Sequence, residues 1–128
     1  MYVSLSSTDA DFVVKLVDVL PDTPNIQRMV RAEVIRGKFR NSFEKPEPFT
    51  AGKITQVKLT LNDIAHTFQK GHRIMVQIQS SWFPLTDMNP QVFTNIPGAK
   101  KTDFKKATIR LYHDKKHPSH IECRRLDQ

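Results

Sequence analysis

The sequence predicts an all-β fold, an antiparallel β-sandwich, on three observations. Apolar and polar side chains alternate with period two in several short runs. Turn-forming clusters interrupt those runs about every ten residues. One run, 12–20, is apolar on both of its faces, as a central strand covered from both sides would be. At 128 residues there is room for a single domain, 1–128. A composition of 38% hydrophobic and 26% charged residues excludes collagen-like, low-complexity and disordered classes.

The elements follow in chain order. In 12–20, Phe12, Val14 and Leu16 share one face while Val13, Val17 and Val19 load the other. Pro21-Asp22-Thr23-Pro24 then turns the chain. Residues 28–39 carry Val30 and Val34 at helical spacing, but alternation and the β-branched Val30, Val34 and Ile35 favour a strand. Breaks follow at Asn41-Ser42, Pro46-Glu47-Pro48 and Ala51-Gly52. In 54–61, Val57, Leu59 and Leu61 oppose Gln56, Lys58 and Thr60. Asn62-Asp63 before Ile64-Ala65-His66-Thr67 resembles a capped helical turn. After Lys70-Gly71, Ile74, Val76 and Ile78 are expected to point inward, with Arg73, Gln77 and Gln79 outward. Past Asn89-Pro90 and Pro97-Gly98, residues 107–112 set Ile109 and Leu111 inward. His117-Pro118 makes the last turn, and the tail repeats the pattern with Ile121 and Cys123 inward.

Charge does not single out a function. The net charge is +7, but the 20 Lys and Arg are scattered without a block of like charge or a nucleic-acid-binding motif. No nucleic-acid partner is expected. No apolar run approaches the length of a membrane helix, so no membrane partner is expected either. Met1-Tyr2-Val3-Ser4-Leu5 lacks the basic start and long apolar stretch of a signal peptide, and no targeting segment is read in this chain. The single cysteine, Cys123, excludes an internal disulfide and reads as a small inward hydrophobe.

Chemistry-bearing patterns are sparse. None of the glycines flanks a serine as a nucleophile elbow would require, and Ser80-Ser81 reads as a structural pair. The run His113-Asp114-Lys115-Lys116-His117-Pro118-Ser119-His120 is rich in metal-ligand types. Its spacing fits neither a helical pair nor a two-strand clamp, and Lys115 and Lys116 would repel a cation, so a polar turn is expected. Asp63, Asp87, Asp103 and Asp114 are not spaced for general acid–base work. No catalytic residue, metal or cofactor is therefore assigned. Arg73 is expected to be structural, paired with Asp87 or Asp63. Trp82 and Phe83, together with Tyr112, would supply the stacking platform of a carbohydrate- or ligand-binding module, the alternative reading. The candidate interface or structural residues are Trp82, Phe83, Arg73, Asp87, Tyr112 and His113.

Four stretches carry a resemblance: TDADFVVKLVDVLPD (8–22), RGKFRNSFEKPEPFTAGK (36–53), FQKGHRIMVQIQSSWFPLTDMNPQ (68–91) and KATIRLYHDKKHPSHI (106–121). In order and spacing they resemble the C-terminal domain of the X-Pro dipeptidyl-peptidase and cocaine-esterase family of serine hydrolases. SSWFPLTDMNPQ and the following Asn95-Ile96 are similar to the branch of α-amino-acid ester hydrolases and glutaryl-7-aminocephalosporanic-acid acylases. The resemblance implies a jelly-roll sandwich, galactose-binding-like in shape, packed against an α/β-hydrolase domain and a helical cap.

The family's Ser-Asp-His triad lies in the hydrolase domain, upstream of everything matched, so no triad position carries over. His113, Asp114 and His117 belong to the jelly-roll motif. The implied role is non-catalytic: supporting the catalytic domain and shaping its active-site entrance. The parent enzyme, a serine hydrolase, would be cytoplasmic or exported to the periplasm. Family jelly rolls begin before the segment equivalent to Tyr2-Val3-Ser4, so this one is expected to lack its N-terminal strands. It would be an excised fragment or a reading frame begun at an internal methionine. Strands left uncovered predict a homo-oligomer.

Overall fold

The computed structural model describes residues 1–21 and 26–124. Its strands are β1 (Tyr2–Leu5), β2 (Asp11–Val19), β3 (Gln27–Arg36), β4 (Thr55–Gln56), β5 (Arg73–Gln79) and β6 (Ile109–Tyr112). They form two three-stranded sheets, ordered β4-β1-β6 and β3-β2-β5, with every pairing antiparallel. Among the described residues there is no α-helix; Gly37–Phe39, Ile96–Gly98 and Lys101–Asp103 are single 3₁₀ turns. The expected all-β sandwich is what the chain forms.

The doubly apolar run becomes the central strand of its sheet, as its pattern requires. β2 pairs with β3 from Asp11↔Arg36 to Val19↔Gln27, with a bulge between Leu16 and Val17. The Leu20 carbonyl-side end is closed by its N–H donating to the Ile26 carbonyl at 3.2 Å. The turn residues Asp22-Thr23-Pro24 lie outside the described residues. The ambiguous segment 28–39 is strand up to Arg36, then turns at Gly37.

The sheets meet at one end, where β1 supplies Val3 and Leu5, β2 supplies Phe12 and β3 supplies Ile35. Ala10, Phe49 and Val57 complete that buried cluster. Phe12 and Phe49 meet edge to face with ring centroids 6.3 Å apart, the arrangement that aromatic quadrupoles favour. Gly37 is required here by close approach. A Cβ at that position would lie 2.6 Å from the Ala10 carbonyl and 2.6 Å from the Phe49 ring. Its own N–H donates to the Ala10 carbonyl at 2.8 Å.

Four expectations need correction. First, only Thr55–Gln56 of the predicted strand 54–61 joins a ladder. Val57 is buried, but its N–H and carbonyl bond Met1 and the chain then leaves the sheet. Second, Asn62–Thr67 forms no helical turn, and the Asn62 side chain bonds Glu33 instead of capping one. Third, the tail 121–124 forms no strand, and Ile121 and Cys123 are exposed.

Fourth, the apolar face of β5 is not covered. Ile78 sits opposite Val14 and Val76 opposite Leu16, so the strand continues the face that starts at Phe12. Yet Ile74, Val76 and Ile78 remain 62%, 38% and 41% exposed. Alternation sets which side chains share a face; what lies over that face is a separate matter.

Candidate functional site: a loop surface held by buried carboxylates

The loops after β5 are anchored from beneath by the Asp9-Ala10-Asp11 step into β2. Asp9 and Asp11 are both buried, and Asn89 bridges them, its Nδ2 donating to Asp11 Oδ1 at 2.8 Å and Asp9 Oδ2 at 3.3 Å. Asp9 Oδ1 also accepts from the N–H groups of Ala10 at 2.9 Å and Lys38 at 3.1 Å. Lys38 Nζ reaches the Thr94 carbonyl at 2.8 Å, and the Phe93 N–H donates to Thr8 Oγ1 at 2.9 Å. The Gln91 N–H donates to Asn89 Oδ1 at 2.8 Å, and the Lys105 N–H donates to the Pro90 carbonyl at 3.0 Å. Burial pushes both carboxyls above the ordinary value, with the Asn89 hydrogen bond the largest influence against it.

What this scaffold holds outward is apolar. Phe83, Leu85, Met88 and Phe104 are exposed. Phe83, Met88 and Phe104 join Asp87, Ile96 and Pro97 around an open hollow of about 510 Å³. Large apolar side chains grouped on a pinned loop make this the candidate interaction surface. Among the residues lining the hollow, Asp87 is the one ionisable side chain.

The six sequence candidates do not form one site. Phe83 and Asp87 share the hollow. Trp82, next in the chain, is half-buried with Lys15 Nζ 4.6 Å from its ring centroid. Tyr112 belongs to the other sheet, its hydroxyl 2.9 Å from Ser4 Oγ, and His113 bridges Pro118. The stacking platform of Trp82, Phe83 and Tyr112 is thus not assembled.

Arg73 does not make the expected pair. Asp87 instead lies 4.0 Å from Arg36, whose guanidinium is also 3.9 Å from Asp11. The reason is register: Arg73 sits opposite Val19, whereas Arg36 sits opposite Asp11 at the other end of β2. That separation is roughly 25 Å of strand.

The histidine-rich run is a polar turn centred on Asp114, which accepts the N–H groups of Lys116 at 2.8 Å and His117 at 2.9 Å. Burial pushes its carboxyl up, but these bonds outweigh it and hold the group below its usual value. His117 lies between the rings of Tyr2 and Tyr112, with centroids 5.6 and 5.7 Å away. Among the described residues, no three His, Cys, Asp or Glu side chains converge as metal ligands.

A third buried carboxylate, Asp18, is invisible to spacing. Asp18 accepts from His72 Nδ1 at 2.8 Å and from His66 Nε2 at 3.1 Å, clasping the 57–72 segment to the far end of the central strand. Burial pushes Asp18 up, but the His72 and His66 bonds outweigh it and leave the carboxyl below 3.8. A depressed carboxyl contributes stability above its unfolded value and loses it as pH falls through the folded one. Acid titration of stability is therefore expected to be shallower in Asp18→Asn, where Asp114 remains as a depressed carboxyl and the raised Asp9 and Asp11 act with the opposite sign, and its neutral-pH stability lower. Superimposable acid curves for the two proteins would overturn this.

Comparison with known proteins agrees with the fold and with the long-range matches in sequence. Cocaine esterase from Rhodococcus sp. (strain MB1 Bresler) is 36% identical over 121 residues, which are 94% of this chain and 21% of that protein. A solved aminopeptidase from a marine-sediment Thaumarchaeota archaeon is 42% identical, with a TM-score of 0.84 over 91% of this chain and 20% of its own. A solved α-amino acid ester hydrolase is 41% identical, with a TM-score of 0.86 over 91% of this chain and 20% of its own. The chain thus spans about a fifth of the length of the relatives it matches. Residues 1–122 match the model for the X-Pro dipeptidyl-peptidase C-terminal non-catalytic domain. From its first strand to the turn beyond its last, the chain belongs to that family of non-catalytic hydrolase domains.

Proposed function

We propose that this sandwich supports an α/β-hydrolase catalytic domain and forms one wall of its active-site entrance, in an ester hydrolase, acylase or dipeptidyl-peptidase. The observation that carries the reading is the exposed group Phe83, Leu85, Met88 and Phe104, mounted on a loop that the Asp9–Asn89–Asp11 bonds hold in place. A pre-organised apolar surface binds with little ordering cost. The relatives support the same reading, since in each the matched part is about a fifth of a longer hydrolase.

The test uses the remaining portion of cocaine esterase, produced without the segment that this chain matches. The chain added in trans is expected to bind it, and Phe83→Ser/Leu85→Ser to weaken binding about tenfold or more, as for central interface residues. Absence of binding, or binding indifferent to those substitutions, would overturn the docking surface.

A further inference from the structure

We propose that the catalytic domain meets the Phe83 hollow with an acidic face, its carboxylates set against a lysine rim in residues 100–106. The inference rests on the docking reading above and adds the chemistry of the partner surface. The two walls of the hollow differ in charge. One wall, Phe83, Asp87 and Met88, carries a single carboxylate with Arg36 4.0 Å away. The other runs from Ile96 and Pro97 to Phe104, and Phe104 is bracketed in the chain by Lys100, Lys101, Lys105 and Lys106. All four lysines are exposed, as is Phe104 between them.

Within the described residues this rim is not neutralised. None of the four lysines makes an ion pair. Asp103, the acid among them, turns Oδ2 to the Lys100 N–H at 2.8 Å and closes the 3₁₀ turn Lys101–Asp103. The Lys105 N–H is tied to the Pro90 carbonyl at 3.0 Å, so the rim is fixed to the loop that Asn89 anchors. Like charges held together repel, and an opposing row of carboxylates turns that cost into attraction. A phosphate backbone would meet the lysines but not fill the apolar hollow beside them, so a protein face is the fitting partner. The occupant is the remainder of the hydrolase, because in each relative the matched part is about a fifth of a longer chain. Charges at the rim of such a contact act mainly on the association rate and its salt dependence.

Binding kinetics with the remaining portion of cocaine esterase, measured at about 50 and about 500 mM salt, read the proposal. The association rate constant is expected to fall about tenfold across that range, with dissociation nearly unchanged. Lys101→Glu/Lys105→Glu/Lys106→Glu should lower it about tenfold at the lower salt. Lys101→Arg/Lys105→Arg/Lys106→Arg should leave it unchanged, with circular dichroism the same for all three proteins. A carbodiimide, which joins amines to carboxylates in contact, should couple these lysines to Asp or Glu of the catalytic portion. Binding that still depends on Phe83 and Leu85 but ignores salt and the Lys→Glu changes overturns the acidic face and leaves the docking surface standing. Absence of binding at every salt concentration removes the docking surface and the acidic face with it. Tighter binding to a DNA duplex than to the catalytic portion overturns the protein partner.

Discussion

Replacing Phe12 with alanine is expected to cost about 3–5 kcal/mol of unfolding free energy, the range for deleting a large buried aromatic. Phe12 is 1% exposed, and its ring sits where the two sheets meet, against Phe49 and among Val3, Leu5 and Ile35. The walls of that site belong to different sheets and to the Phe49 loop, so collapse around a smaller side chain would require moving whole ladders. Domains of this size hold only about 5–15 kcal/mol in total, so the variant would approach the threshold of folding. Urea titration measures the loss directly. A deficit under about 1 kcal/mol would mean that the interface relaxes freely and that Phe12 does not join the sheets.

Asn89→Ala is the second large effect, expected near pH 7 at about 3 kcal/mol, because two buried carboxylates lose a donor together. The defect should depend on pH with a definite sign. Burial already holds Asp9 and Asp11 above 3.8. The stability such raised carboxyls contribute is complete below their unfolded value and is lost as pH rises through the folded one. Without Asn89 both rise further, so the variant should fall behind the wild type most at neutral pH and least in acid. Urea midpoints at a series of pH values decide it. An equal deficit at every pH would show that Asn89 acts through packing alone. The loop that presents Phe83 and Leu85 would loosen in the same variant, since Asn89 is its anchor.

The strands were legible where pattern and pairing coincide. Alternation locates β2, β5 and β6, and β-branched content correctly favours strand over helix for β3. It misleads at Val57 to Leu61, because side chains go on alternating toward the core after the backbone has left the ladder. It misleads at Cys123 for the opposite reason: four alternating residues without a partner strand remain solvated. The candidate surface was legible in part. Phe83 and Asp87 stand out as residues, but the network beneath them joins positions 80 and 78 apart in sequence. No local spacing announces such a bond. Asp18 was hidden within an apolar run, where its histidine partners lie 48 and 54 residues further on. Both ends of the carboxylate network lie in stretches that carry the family resemblance, TDADF and SSWFPLTDMNPQ, but neither stretch announces the bond between them.

The pairing of Tyr2 with Tyr112 gives the two sheets different histories during synthesis. β2 and β3 meet as soon as their hairpin leaves the ribosome. β1 meets β4 before it meets β6, its longer partner, which at about 5–20 residues per second arrives on the order of 5–20 seconds after β1. Until then Leu5 has no partner strand, since β4 reaches only Tyr2 and Val3. Completion of that sheet is therefore governed by β6, the last of its three strands to be made.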